Sequence, residues 1–146
     1  WDALDYIGIQ AYFPLSGFDS PSVNEIKKGW KPLYSKLKSL SKNYRKPILF
    51  TEIGDRNTID TATKPWEWPE SIDNLLVKTS IETQYNCYEA FFETFWKEDW
   101  FAGALFWQWR ISDGRRGNRQ MSITFSPQGK PAEQSMAEWF GDAKAD

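Results

Sequence analysis

The sequence predicts an α/β protein with a parallel sheet, and it favours part of a (β/α)8 barrel over a small doubly wound sheet. Three short segments with the apolar character of buried strands alternate with three helical segments. No glycine-rich phosphate-binding loop follows any strand, which counts against a nucleotide-binding sheet. Polar residues gather at the carboxyl ends of all three strands, where a barrel has its active site.

The first strand is predicted over residues 6–13. Its alternation places apolar residues on one face and Gly8, Gln10 and Tyr12 on the other. The second face suits the interior of a barrel near its mouth, so Gln10 and Tyr12 are candidate binding residues. The alternative is that Gln10 is a satisfied core amide and Tyr12 an ordinary rim tyrosine.

The first helix is predicted from the capping box Ser22 to Glu25 until about Asn43. Apolar residues then recur at helical spacing, which indicates a core-facing stripe. Gly29 and Pro32 interrupt the pattern, so we expect a kink or a restart there.

The second strand begins after a proline and ends at a glycine, and it carries Glu52 at its carboxyl end. We place Glu52 on the face shared with Ile48 and Phe50 and expect that face to point toward the barrel interior. A merely buried charge is costly, whereas a carboxylate at this end of a barrel strand suits an active site. An ion pair with Arg56 or Lys46 at the strand exit is the alternative.

A long loop is predicted over residues 54–80, with Trp66 and Trp68 in it. Loops of this length in compact domains are often functional, and this one follows the strand that bears Glu52. The two tryptophans either line a groove or only hold the loop in place. A helix is then predicted over residues 84–96, with an aromatic stripe made of Tyr88, Phe91, Phe92 and Phe95.

The third strand is predicted over residues 101–109, with Trp107 and Trp109 on one face at its carboxyl end. A glycine- and arginine-rich loop over residues 110–129 follows, and it suits a substrate rim or a solvated loop better than a nucleic-acid patch. Pro131 is typical of the first turn of a last helix.

The composition excludes several kinds of chemistry. The 146-residue chain has no histidine, so a histidine triad, a histidine-metal site and a histidine base are excluded within it. Cys87 is the single cysteine, and the net charge of -2 gives no indication of nucleic-acid or membrane binding. Nine tryptophans suggest a surface for flat apolar ligands, although a tryptophan-rich core must account for several of them.

Five segments in order resemble the C-terminal part of glycoside hydrolase family 113, which holds endo-β-1,4-mannanases of the clan A (β/α)8 type. They cover residues 6–15, 47–54, 84–92, 100–104 and 126–131. The resemblance implies that residues 1–146 are the C-terminal part of a single barrel domain, with strands six to eight. It implies that Glu52 is the nucleophile and that the general acid/base lies on strand four, outside this chain.

The resemblance also implies an oligo- or polysaccharide partner. We expect no nucleic acid and no membrane as partners, and no cofactor and no metal. Trp107 is its candidate sugar platform, and we add Gln10, Tyr12 and Trp109 as substrate-binding candidates. The sequence does not give the compartment, although degradation of a polysaccharide would favour a secreted or cell-envelope location. Two positions depart from its pattern, because Gln10 replaces an expected aspartate and Asp55 an expected aromatic residue.

Two further expectations follow from an incomplete barrel. Without the acid/base, the chain alone should be inactive or nearly so. Open sheet edges should also promote self-association. The competing interpretation is a carbohydrate-binding relative that keeps the groove but lacks catalysis, which a glutamate at the end of the fourth strand would argue against.

Overall fold

The computed structural model describes residues 3–68, 78–111 and 123–141, and its elements alternate between strand and helix. They are β1 (Ile7–Gln10), α1 (Val23–Tyr44), β2 (Ile48–Ile53), α2 (Ile81–Phe95), β3 (Phe101–Phe106) and α3 (Pro131–Gly141). The strands form one parallel sheet in the order β1-β2-β3. This is the predicted partial α/β barrel. None of the helices in these ranges is long and apolar enough to span a membrane.

The central strand β2 aligns its two neighbours at the same level. Ile7 N donates to Pro47 O at 2.9 Å, and Ile48 N donates to Trp100 O at 2.9 Å. In the register Ile48 lies opposite Ile7 on one side and Phe101 on the other. Because all three strands run the same way, their carboxyl ends meet at one edge of the sheet, where the candidate site lies.

The core lies between one face of the sheet and the helices. Ile48 and Phe50 are fully buried, and the Phe50 ring lies 6.0 Å from Trp30 and 5.2 Å from Phe95. The predicted orientation of this face was therefore wrong, because Ile48 and Phe50 point outward to the helix layer. Their size and apolar character suit a surface that helices cover.

Glu52 does not share the buried environment of Phe50. In the pairing with β1, Ile9 lies opposite Phe50 but Gln10 lies opposite Glu52, so Thr51 is an extra residue in β2. A bulge of this kind breaks the alternation of side chains. The predicted common face for Glu52 and Phe50 was wrong for this reason, and Glu52 lies partly exposed at the edge of the sheet.

Helix α1 begins with the predicted capping box. The carboxylate of Glu25 accepts hydrogen bonds from Ser22 N at 2.8 Å and from Ser22 Oγ at 2.7 Å. The expected restart was wrong, because α1 continues through Gly29 and Pro32 as one helix. Gly29 has a packing role, since a Cβ atom there would lie 2.1 Å from the carbonyl oxygen of Leu15.

Helix α2 joins the sheet to α3 through aromatic contacts. Phe92, which is 1% exposed, stacks on Trp139 with ring centres 5.7 Å apart and on Phe106 at 5.7 Å. The helix begins at Ile81, earlier than predicted, because Ser80 Oγ caps it by accepting from Thr83 N at 3.1 Å. The whole predicted stripe of Tyr88, Phe91, Phe92 and Phe95 is buried, so it forms the predicted core.

We expect Phe92→Ala to lower the free energy of unfolding by about 3–5 kcal/mol, because the cavity would lie among large rings that cannot close over it. The matched control is Phe18→Ala, since Phe18 is 52% exposed and should change stability by only about 0.5 kcal/mol. Denaturant titration at a protein concentration low enough to prevent association measures both. If Phe92→Ala lowers the free energy of unfolding by less than about 1 kcal/mol, Phe92 is not a core residue.

Candidate active site

Glu52 is held at the carboxyl edge by the last residue of β1 and by residues just after it. Tyr12 OH donates a 2.7 Å hydrogen bond to Glu52 Oε1, while Gln10 Nε2 makes a longer 3.5 Å contact with Oε2. Between them, Ala11 N donates to the Glu52 backbone carbonyl at 2.7 Å. The structure therefore brings three of the sequence-predicted site residues together, and it leaves Oε2 as the less occupied oxygen.

Tyr12 is a permanent hydrogen-bond donor in this arrangement. Burial, followed by the hydrogen bond to the Glu52 carboxylate, raises the pKa of Tyr12 well above its usual range. The phenol therefore keeps its proton at every pH at which the protein would work. Its ring is fixed from the side by Phe125, with centres 6.3 Å apart at 74°.

The alternative ion pair between Glu52 and Arg56 is not formed. Arg56 is fully buried, and its Nη2 lies 3.7 Å from Asp60 Oδ1 and 3.9 Å from Glu67 Oε2. The same nitrogen donates to Lys64 O at 2.8 Å. Arg56 thus binds residues of the loop after β2, and the partners of the Glu52 carboxylate are the Tyr12 phenol and the Gln10 amide.

Trp107 is placed beside the end of β2 by its backbone. Trp107 N donates to Ile53 O at 2.7 Å, and a Cβ atom on Gly54 would lie 2.0 Å from Trp107 O. Only glycine at position 54 allows this approach. Strand β3 ends at Phe106, so Trp107 and Trp109 lie beyond the observed strand, and the predicted strand was too long at its carboxyl end.

The tryptophans differ in their surroundings. Trp68 lies edge-on to Trp107, with ring centres 6.0 Å apart at 87°, and edge-on to Phe125 at 6.2 Å. Trp109 is 54% exposed, and within the described part of the chain no aromatic contact joins it to this group. The rings of Trp107, Trp68, Phe125 and Tyr12 thus form a continuous aromatic group that leads to Glu52.

The loop after β2 is a compact buried structure that sequence reasoning missed. Asn57 is fully buried and exchanges two hydrogen bonds with the backbone of Thr124, at 3.1 and 2.7 Å. The Gln84 amide donates to Asp55 O at 2.8 Å and to Phe125 O at 3.3 Å. A run of short polar residues directly after a buried strand was the available signal, but their partners are distant in sequence.

Asp55 is a buried carboxyl within this loop. Burial raises the pKa of Asp55 to about 7, opposed by a hydrogen bond from the Cys87 thiol and by the charge of Arg56. Burial, followed by the nearby Asp55 charge, also raises the pKa of Cys87 well above its usual range. At the position where an aromatic residue was expected, the chain therefore has a group that titrates near neutral pH.

Two further predictions concern a metal site and the arginine-rich loop. In the described ranges, no group of three or more histidine, cysteine, aspartate or glutamate side chains could hold a metal ion. Most of the predicted arginine-rich loop, residues 112–122, lies outside the described residues. From its described start, Arg110 N donates to Gln128 Oε1 at 2.8 Å.

The match to a family model decides the classification of the chain. The model for Glycoside Hydrolase Family 113 matches residues 1–130. The chain belongs to glycoside hydrolase family 113. This confirms the resemblance that the five sequence segments indicated.

Solved structures of family 113 share the fold of this chain. A β-mannanase from Alicyclobacillus acidocaldarius, solved in complex with ManMIm, is 25% identical with a TM-score of 0.78, and the match covers 99% of this chain and 41% of that protein. A β-1,4-mannanase complex is 22% identical with a TM-score of 0.76, covering 97% and 40%. The chain thus spans about two fifths of the length of these mannanases.

More distant structures also share the fold. A β-glucuronidase from Ruminococcus gnavus is 19% identical with a TM-score of 0.56, and the match covers 97% of this chain and 23% of that protein. No curated protein sequence matches the chain.

The buried Asp55 predicts a pH dependence of stability in this family 113 chain. The folded protein keeps Asp55 protonated up to about pH 7, whereas the unfolded chain ionises it near the ordinary pKa of about 4. The stability contributed by the protonated form is therefore full below the unfolded pKa and lost as the pH rises through the folded pKa.

We compare the free energy of unfolding of Asp55→Asn with that of the unmodified chain. We expect this difference to shift in favour of Asp55→Asn by more than about 1 kcal/mol when the pH rises from about 5 to about 8. Denaturant titrations of both proteins across this range measure the difference. A stability difference that does not change with pH would show that Asp55 ionises as an ordinary carboxyl.

Proposed function

We propose that Glu52 is the nucleophile of a retaining glycoside hydrolase that acts on β-1,4-mannan or a related β-glycan. In this proposal, residues 1–146 are the C-terminal part of one barrel domain, with β1, β2 and β3 as strands six, seven and eight. The observation that carries it is the Glu52 carboxylate at the end of a barrel strand, hydrogen-bonded by Tyr12 beside a group of aromatic rings. Membership of a glycoside hydrolase family supports it.

The proposed reaction uses two carboxyl groups in two steps. The Glu52 carboxylate forms a bond to the anomeric carbon while the glycosidic bond breaks and a second carboxylic acid gives its proton to the departing oxygen. In the second step, that carboxylate takes a proton from water, whose oxygen attacks the anomeric carbon and releases Glu52. The second group must lie about 5–5.5 Å away, and we assign it to a fourth strand outside this chain.

The contacts of Glu52 suggest which oxygen attacks. Oε1 accepts the 2.7 Å hydrogen bond from Tyr12, whereas Oε2 has only the 3.5 Å contact with Gln10. We therefore assign the attack to Oε2, and Tyr12 orients the carboxylate by holding the other oxygen. The Gln10 amide can turn toward a sugar hydroxyl, because amides both donate and accept.

Sugar binding is proposed at Trp107. Pyranose rings have apolar C–H faces that can stack on an indole without requiring a charge. Trp107 is partly exposed, which leaves part of its indole surface for such a contact. Trp109 is proposed as a more distant contact, in keeping with its exposure.

We expect Glu52→Gln in the complete enzyme to lower kcat by several orders of magnitude, because the amide keeps the shape but lacks the attacking charge. Binding of manno-oligosaccharides should stay near its original strength. The matched control is Glu93→Gln, since Glu93 lies on α2 and pairs with Lys27, away from the mouth.

Kinetic assays and calorimetry on the same preparations separate the outcomes. Retention of most activity by Glu52→Gln would contradict the assignment. A complete protein that binds mannan but cleaves none would favour the carbohydrate-binding relative.

We also propose that the chain alone associates with itself. In the described structure, β1 and β3 each leave one edge unpaired, and Leu4, Tyr6 and Leu105 are 50%, 50% and 59% exposed. Unpaired strand edges with apolar side chains promote association. Light scattering should therefore show oligomers or aggregates of residues 1–146, and a monomer with a cooperative melting transition would contradict the prediction.

A further inference from the structure

We infer that Trp68 contacts a sugar unit of the substrate, in a subsite next to the one at Glu52, where it forms a second aromatic wall with Trp107. This inference rests on the proposed function and extends it to the recognition of longer chains. Trp68 lies on the loop after β2. From the sequence, it either lines a groove or only holds the loop in place.

A short series of ring contacts connects Trp68 to the residues around Glu52. Its ring centre is 6.0 Å from that of Trp107 and 6.2 Å from that of Phe125. Phe125 in turn lies 6.3 Å from Tyr12, which donates to Glu52. Trp68 is thus separated by only two aromatic contacts from the hydrogen-bond partner of the nucleophile.

The two indoles form a corner that suits a sugar chain. Their planes are at 87° to each other, so a pyranose stacked on one ring would present its edge to the other. Trp68 is 55% exposed although it touches two aromatic rings. Covering that apolar surface with a sugar face would be favourable, and aromatic walls with a few polar groups are typical of ligand sites.

The loop holds Trp68 in place before any ligand binds. Arg56, which is fully buried, donates to Lys64 O at 2.8 Å and lies 3.9 Å from Glu67, the residue before Trp68. On the other side, Ala62 O accepts from Leu15 N at 2.7 Å. A wall that is already ordered loses less conformational entropy on binding, which favours recognition over a purely space-filling role.

Trp66 provides a matched control on the same loop. It is also 55% exposed, but no aromatic contact joins it to another ring in the described part of the chain. The two residues therefore have the same type, the same exposure and nearly the same position. Only Trp68 touches the Trp107 platform.

The test compares Trp68→Ala and Trp66→Ala in the complete enzyme, on a series of β-1,4-manno-oligosaccharides. We expect Trp68→Ala to lower kcat/KM by about tenfold on the longest substrate, mainly through KM. On the shortest substrate that the enzyme cleaves, its kcat/KM should stay within about twofold. Trp66→Ala should match the unmodified enzyme on both substrates, and Trp68→Phe should restore part of the loss.

An equal loss on short and long substrates would overturn the inference, because it would show that Trp68 only supports the fold of the site. Unchanged kinetics for Trp68→Ala would overturn it as well. If Trp68→Ala does not fold, the same length dependence is measured on Trp68→Phe.

Failure of the proposed function is recognised separately. If the unmodified enzyme cleaves no β-mannan, binding of mannohexaose, cellohexaose and xylohexaose to the same variants is measured by calorimetry. A loss of binding in Trp68→Ala but not in Trp66→Ala would support the subsite without the reaction. Equal binding by both variants would overturn the subsite.

Discussion

Phe50 is buried between the sheet and a layer of aromatic rings from α1 and α2, and this packing fixes the central strand. Its ring lies within about 6 Å of Trp30, Phe91 and Phe95, so β2 can neither slide nor rotate without opening the core. The position of everything at the carboxyl edge depends on that strand. Phe50 packs against the helices, and the extra residue Thr51 then turns Glu52 toward β1. There the Tyr12 hydroxyl can reach the Glu52 carboxylate.

The same strand also organises the loops. Gly54 allows the backbone of Trp107 to cross the end of β2, and the residues after it form a buried polar loop whose partners come from α2 and from the segment before α3. Buried polar groups must find hydrogen bonds, and a network with many partners has few alternative arrangements. The network also holds the backbone of Phe125 through Gln84, and Trp68 packs on the Phe125 ring, so the loop contributes to the shape of the proposed substrate groove.

Much of the fold follows from local patterns. The apolar run before Glu52, the Ser22 to Glu25 capping box and the aromatic stripe around Phe92 each predict their elements, because each depends on residues near in sequence. The orientation of Glu52 could not be predicted, since a bulge is a property of two paired strands and the alternation rule fails across it. Likewise, the burial of Asn57 depends on Thr124, which is 67 residues away.

The proposed covalent bond between Glu52 and the sugar is tested most directly by trapping it. A 2-deoxy-2-fluoro mannoside with a good leaving group slows release of the intermediate, so incubation with the complete enzyme should leave a stable glycosyl ester. Peptide mass analysis should find the label on Glu52 and on no other residue of the chain. A label on another carboxylate, such as Asp55 or Glu67, would contradict the account.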